Sequence, residues 1–343
     1  MTDEIGRPLV SFVVIAYNQE RYIREAIEGA FAQTYSPLEI ILSDDNSPDD
    51  TFRIMQEMAA SYDGPHRLVL NRNEQNQGLV PHIDRVMEIV TGAFIVINAG
   101  DDVSFSERTE KLASKWESSG RKVKLVHSPV VTMDESGSSV GIRTSDEAIV
   151  RDPTPFVIVS GGHCILGASL SWDRDVFDSF GPLGPGLSVE DTTIPFRAAL
   201  LGEIAYVEEP LVKYRQAGMT SAKFSRFTPY DYMYGFAHKC RKWQIENDMH
   251  ILTRFTENSY LGKDEAEAAC RDRVKRLGLT IELAQSSRVS RFLLAPRSVW
   301  LALRHRSFEP LKHWVMYSLE PLYLLYARAK RSLRTLFNGR TKL

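Results

Sequence analysis

The chain has 343 residues, 43% of them hydrophobic and 25% charged, with a formal net charge of −2. That is enough apolar material for a proper core, as one large domain or as a domain with a substantial appendage. The near-neutral total argues neither for nor against nucleic acid, and no nucleic-acid partner is expected.

In chain order, residues 9–16 are a continuous β-branched and aliphatic run, as a strand buried on both faces requires. Tyr22, Ile23, Ala26, Ile27, Ala30 and Phe31 then recur at helical spacing. Residues 39–43 read as a second strand. The helix after it is predicted to open with Ser47 as N-cap and Pro48 at its first position, burying Phe52, Met55, Met58 and Ala59. Residues 67–71 read as a third strand, Ile83, Val86, Met87 and Val90 mark a third helix, and residues 93–98 read as a fourth strand. This alternation predicts an α/β fold with a doubly wound, mostly parallel, Rossmann-like sheet. Between 122 and 214 short strands (124–127, 204–207, 211–214) surround Gly- and Pro-rich loops such as 181–186. From about residue 227 the pattern turns helical, notably over 265–283. We expect a domain over 1–225, with a donor half at 1–120 and an acceptor half at 121–225. A helical appendage over 226–343 follows, basic and amphipathic from about 288.

Cys164, Cys240 and Cys270 are far apart and lack metal-ligand spacing, which fits a reduced cytosol. The first seven residues are polar and acidic, the apolar run at 9–16 is short for a signal peptide, and no stretch reaches the roughly 18 apolar residues of a membrane span. A cytoplasmic location is expected.

Ligands of an open parallel sheet collect beyond the carboxyl ends of its strands. Three of those ends carry unusual polar groups: Tyr17-Asn18-Gln19-Glu20, Asp44-Asp45-Asn46-Ser47 and Asp101-Asp102. Adjacent carboxylates repel unless a cation or a donor compensates. One such pair is as readily a solvated turn with a helix cap; two pairs closing buried strands on one rim are harder to dismiss. Neither a G-x-G-x-x-G nor a P-loop lysine motif follows any predicted strand.

The run Val10-Ser11-Phe12-Val13-Val14-Ile15-Ala16-Tyr17-Asn18, then Ala32-Gln33-Thr34-Tyr35, then Ser43-Asp44-Asp45-Asn46-Ser47 with Asp50-Thr51, resembles family 2 glycosyltransferases of the GT-A fold. So does Ala99-Gly100-Asp101-Asp102, where that family keeps its metal-binding motif, and Val189-Glu190-Asp191, where it keeps its catalytic base. The resemblance covers roughly 8–220. It implies an inverting transferase taking a sugar from a nucleoside-diphosphate donor, with a UDP-sugar favoured, and delivering it to a saccharide or lipid-linked saccharide hydroxyl. By that similarity Asp102 holds Mn2+ or Mg2+, and Asp101 shares the metal or contacts the ribose. Asp45 contacts the nucleobase, and Ala16, Tyr17 and Asn18 lie against the nucleoside. Asp191 is the general base; a single base with in-line attack inverts the anomeric centre. Glu20 reads equally as a helix cap or a donor-site residue, and Glu190-Asp191 also reads as an acidic pair at a helix N-terminus.

The chain departs from the family in two places. After Asn76 and Gly78 many members carry Ala-Arg-Asn, where this chain has Leu79 to Arg85, leaving Arg85 as the substitute for the diphosphate contact. After Tyr214-Arg215 many members place a His, where this chain has Gln216-Ala217-Gly218. The metal shell is then completed by donor phosphates and water. His163, beside Gly161-Gly162, falls in the expected acceptor region together with Glu190, and a lone His is more often structural.

Residues 288–343 hold twelve Lys and Arg against two acids, a local charge of +10, so the remainder carries −12. Trp300, Trp314, Tyr317, Tyr323 and Tyr326 alternate with these cations, as in an element lying on the anionic inner face of a membrane. The same stretch equally suits a helix packed on the acidic body, and a homo-oligomer surface is a third reading. The competing functional class is a non-catalytic nucleotide-sugar-binding or scaffolding protein of the same fold.

Overall fold

In a computed structural model the chain is described over residues 6–159, 165–184 and 190–216, and beyond these over 293–304 and scattered positions from 268 to 315. It divides into two compact units, Met1–Met219 with Glu257–Ala266, and Thr220–Thr256 with Glu267–Leu343.

The first unit is an α/β fold, built on a seven-stranded sheet. Its strands are β1 (Val10–Ala16), β2 (Leu38–Asp44), β3 (Arg67–Arg72), β4 (Phe94–Ala99), β6 (Val123–His127), β9 (Ser171–Asp173) and β10 (Glu203–Tyr206). Their order is β10-β6-β9-β4-β1-β2-β3. All pairings are parallel except those of β9, which runs antiparallel between β4 and β6. The helices are α1 (Ile23–Phe31), α2 (Thr51–Ala60), α3 (Leu79–Ile89), α4 (Arg108–Ser118), α5 (Glu147–Arg151), α6 (Pro155–Val159), α7 (Asp175–Asp178) and α8 (Thr193–Leu201).

Strand β1 shows why the sheet is covered twice. Val10, Phe12, Val14 and Ala16 face one apolar cluster with Ile23 and Ile27 of α1, Met55 of α2 and Trp116 of α4. Val13 and Ile15 face another, with Val80, Ile83 and Val86 of α3 and Ile194 and Ala198 of α8. Alternate residues of a strand point to opposite faces, so a run apolar on both faces, Ser11 apart, needs helices on both. Each fully buried side chain contributes roughly 1.5–3 kcal/mol.

The register gathers the strand ends. Ala16 lies beside Asp44, Asp44 beside Arg72, and Ile15 beside Ala99. The chain passes from β3 on one side of β1 to β4 on the other, so the topological switch falls between β1 and β4. At the opposite ends of these strands the buried Glu39 carboxylate takes Ser11 Oγ, Thr91 N–H and Oγ1, and Gly92 N–H. That rim is closed by structure.

Residues 211–214, expected as a short strand, fall in a second sheet: β5 (Val103–Ser104), β11 (Val212–Arg215), β7 (Val130–Met133) and β8 (Ser139–Arg143), in the order β5-β11-β7-β8. Strand β11 pairs antiparallel with β5, directly after Asp101-Asp102, and so presses against the acidic turn. The expected helix over 265–283 lies almost wholly outside the described residues. In the second unit, α9 (Ala295–Arg304) is helical, with Leu293 and Leu303 exposed.

Candidate active site

The two turns after β1 and β2 are stitched to each other. Asn18 and Asn46 both adopt left-handed backbone (φ +58° and +59°), which asparagine tolerates and which turns each loop sharply off its strand. Asn18 N–H donates to Ser47 Oγ at 2.8 Å, and Gln19 N–H to Thr51 Oγ1 at 2.8 Å. Glu20 accepts Asp50 N–H at 3.2 Å, so its carboxylate bridges the two loops at the surface rather than capping α1. Ser47 is not the N-cap expected of it. Helix α2 begins four residues later behind Asp50, and the Ser47 hydroxyl is spent on the buried Asp44 carboxylate. Burial raises the proton affinity of Asp44, opposed by the Ser47 hydroxyl and N–H.

Asp45 is 2% exposed and holds the segment that enters α3. Its Oδ1 accepts Asn73 Nδ2 at 2.8 Å and Gln77 N–H at 3.0 Å, and its Oδ2 accepts Gly78 N–H at 2.8 Å. A carboxylate has about four acceptor positions, so at most one remains for a ligand. Behind it, Ser43 Oγ lies 2.6 Å from His82 Nε2 and accepts Asn71 Nδ2 at 2.9 Å. Burial pushes His82 down to about 4, which leaves a neutral imidazole at neutral pH. Asn76 is exposed, and Arg85 lies on the solvent side of α3, paired with Glu88 at 2.5 Å. The diphosphate role expected of Arg85 finds no support in this placement, because the guanidinium is engaged along its own helix.

Asp101 and Asp102 follow β4 through Gly100, whose N–H donates to Ile15 C=O at 2.8 Å. A Cβ at Gly100 would come within 2.8 Å of Ala16 Cβ, so only glycine lets the acidic turn cross so close to the end of β1. Asp102 is 2% exposed. Its Oδ1 accepts Arg215 N–H at 2.9 Å. Burial pushes Asp102 well above the usual carboxylate range and the neighbouring Asp101 adds to this, while the Arg215 N–H opposes. Asp101 is raised too, by burial, against its own N–H, the Gln19 side chain and the Arg215 charge. Two acids that both resist ionisation are a site where a cation is favourable. Among the described residues no third His, Cys, Asp or Glu joins them in a group of three. Two carboxylates suit a hard cation that keeps water and substrate phosphates as its other ligands.

Two buried arginines frame this pair, and sequence patterning singled out neither. Arg215 is 1% exposed; it donates to the Asp101 C=O at 3.1 Å and to Glu25 Oε2 at 2.8 Å, and stacks on Tyr22 at 4.3 Å. Arg108 is fully buried, and donates to Asn98 Oδ1, Ser104 Oγ, Ile97 C=O and Ala168 C=O between 2.9 and 3.1 Å. Asn98 in turn donates to Asp102 C=O at 2.9 Å. Arg108 thus joins the acidic turn to the 167–169 turn. A basic residue in an amphipathic helix reads as surface, so only the count of buried acceptors around it reveals its role.

Gly167 opens that turn. A Cβ there would stand 2.8 Å from Glu190 Oε1 and 3.7 Å from Asp191 Cβ, so the second acidic pair lies directly against it. Glu190 and Asp191 are half-buried and precede α8, whose N-cap is Thr192. Burial, and then the Asp191 charge, pushes Glu190 up to about 7. His163 lies outside the described residues.

Residues 11–166 match the family described as Glycosyl transferase family 2. EpsE of Bacillus subtilis (strain 168), provisionally assigned as a glycosyltransferase, is 34% identical over 152 residues, which is 43% of this chain and 54% of EpsE. The uncharacterized glycosyltransferase RP339 of Rickettsia prowazekii (strain Madrid E) is 24% identical over 250 residues, 71% of this chain and 76% of that protein. The chain therefore spans about half the length of EpsE. Among solved structures, S. aureus TarS 1–349 superposes with a TM-score of 0.57 at 14% identity over 90% of both chains. The same TarS fragment in complex with UDP-GlcNAc gives 0.56 at 16% identity, over 94% of this chain and 87% of that one. At those identities the likeness is one of fold. The family match ends at residue 166, short of Asp191.

Proposed function

We propose that this chain, which belongs to glycosyl transferase family 2 through residues 11–166, moves a sugar from a nucleoside-diphosphate donor to a hydroxyl acceptor with inversion. The observation that carries the reading is the convergence of β1, β2 and β4 on one rim, where Ala16–Asn18, Asp45 and the proton-hungry pair Asp101-Asp102 meet. Ala16, Tyr17 and Asn18 receive the nucleoside. Asp45 shapes the base pocket chiefly by fixing Gln77 and Gly78, with one acceptor position to spare for the base. Asp102 and Asp101 hold Mn2+ or Mg2+, which, when bound, offsets the charge growing on the leaving diphosphate. On the acceptor side Asp191 takes the hydroxyl proton. Protonation of Glu190 below about pH 7 spares Asp191 a second negative charge beside it.

TarS has been crystallised with UDP-GlcNAc, so uridine donors are the first to test. A saccharide or lipid-linked saccharide is the acceptor class we favour. Thermal shift over nucleoside diphosphates, with and without Mn2+ or Mg2+, is expected to show a metal-dependent stabilisation by UDP. UDP release from a UDP-sugar panel, with water or added saccharides as acceptor, then separates an enzyme from a scaffold. Binding across the panel without UDP release under any condition would reject the transferase. The basic C-terminal region is proposed to rest on anionic lipid. Vesicle flotation should then recover the protein with anionic vesicles only, and equal recovery with neutral ones, or none with either, rejects that surface.

A further inference from the structure

The segment that leads to Glu190-Asp191 is gripped from two sides. Asp84, in the second turn of α3, accepts Leu183 N–H on Oδ1 at 2.7 Å and Gly184 N–H on Oδ2 at 2.9 Å. Arg197, on α8 and buried, donates through Nη1 to Gly181 C=O at 2.6 Å and through Nη2 to Pro182 C=O at 2.9 Å. Its guanidinium lies 5.6 Å from the ring centroids of both Phe177 and Phe180. Leu183 is fully buried, in the apolar cluster that holds Val80, Ile83 and Val86 of α3 with Ile194 and Ala198 of α8. Gly184 takes φ +89°, a conformation in which glycine is most at ease. A surface loop normally leaves such groups to water; here charged side chains fix both the N–H and the C=O groups of 181–184.

The N-terminus of the same helix, less than two turns before Asp84, is fixed to the nucleotide rim. Gln77 and Gly78, immediately before α3, donate their N–H groups to Asp45. The first half of α3, from Leu79 to Asp84, therefore runs between Asp45 and residues 183–184. Asp84 lies within the stretch where this chain departs from its family's Ala-Arg-Asn run.

We propose that Asp84 is a positioning residue: with the first half of α3 as the strut it holds 181–184, and through Arg197 the start of α8 that Asp191 precedes, at a fixed reach from the nucleotide rim. This rests on the reading of Asp191 as general base. A base works only within hydrogen-bond reach of the proton it takes, and a misplacement of about 1 Å can cost on the order of 10²-fold. A carboxylate suits the task because it offers one oxygen to each of two successive N–H groups. An asparagine offers one oxygen and turns an N–H2 group against the second donor.

The test compares full-length wild type with Asp84→Asn by amide hydrogen exchange, UDP binding with Mn2+, and UDP release from the best UDP-sugar. Exchange over 181–191 is expected to rise about tenfold, the loss of one charge-assisted bond, while 76–80 stays protected. The Kd for UDP should stay within about twofold and the donor KM within about threefold, while kcat falls about 10- to 100-fold. Exchange that rises equally across the sheet would mark general destabilisation and overturn the proposal. So would a local rise with kcat unchanged, which would leave a clamp with no part in positioning the base. A wild type that binds no nucleoside diphosphate would remove the transferase reading and this role together. An active wild type whose Asp84→Asn variant keeps its kcat removes this role alone.

Discussion

Asp102→Asn is expected to lower metal-dependent UDP release by at least about 10³-fold while leaving the fold intact, and more stable near neutral pH than the wild type without metal. A cation that offsets leaving-group charge is worth several kcal/mol in the transition state, and about 4 kcal/mol corresponds to that factor. Asparagine keeps an oxygen for the Arg215 N–H that Asp102 Oδ1 accepts at 2.9 Å, so the turn retains its anchor. What it removes is a charge the protein resists. Burial and the adjacent Asp101 outweigh the opposing Arg215 N–H and the Arg108 and Arg215 charges. A carboxylate whose folded pKa is raised contributes stability at low pH that is lost as pH rises through that folded value. Metal-free wild type should therefore lose stability between acid and neutral pH, and Asp102→Asn should flatten that decline. Divalent cation should restore the wild type at neutral pH and do little for the variant. Thermal unfolding from pH 5 to 8, with and without Mn2+, reads all of this. Retained metal-dependent turnover in the variant would exclude Asp102 as a ligand.

Much of the donor side was open to reading because its signals are local. The run from Val10 to Ala16 declares a strand buried on both faces, and the spacing of Ile23, Ala26, Ile27 and Ala30 declares the helix that covers one of them. Adjacent aspartates at a strand end need no tertiary knowledge to look odd. What escaped depends on partners distant in the chain. Strand β9 is three residues long, with Trp172 flanked by Ser171 and Asp173, and only its place between β4 and β6 makes it a strand. Arg215 meets Asp102 across 113 positions, and Asp84 meets Leu183 across 99. No periodicity encodes such pairs. Ser47 shows the reverse error: a residue with the chemistry of a cap was claimed by a stronger acceptor, the Asp44 carboxylate beside it.

Asp191→Asn separates the two meanings of the second acidic pair. If Asp191 were only a polar lead-in to α8, its loss would touch stability and leave the rate alone. At the helix start Ile194 N–H is taken by Glu190 C=O and Phe196 N–H by Thr192 C=O, and neither bond needs the Asp191 carboxylate. As the base, its loss should cut UDP release on the order of 10²- to 10⁴-fold, the usual range for a positioned proton acceptor. UDP binding with Mn2+ should persist, because the donor contacts proposed above come from Ala16 to Asp102, on other elements. The substitution also removes the charge that helps hold Glu190 up at about 7, so the Glu190 titration should move toward the ordinary carboxylate range. That shift is readable by NMR in the inactive variant, and it tests whether the two carboxyls interact at all. A variant within about threefold of wild-type turnover would return Asp191 to the role of a helix lead-in. The base would then have to be sought elsewhere on the acceptor side, beginning with Glu190, which lies against the same glycine.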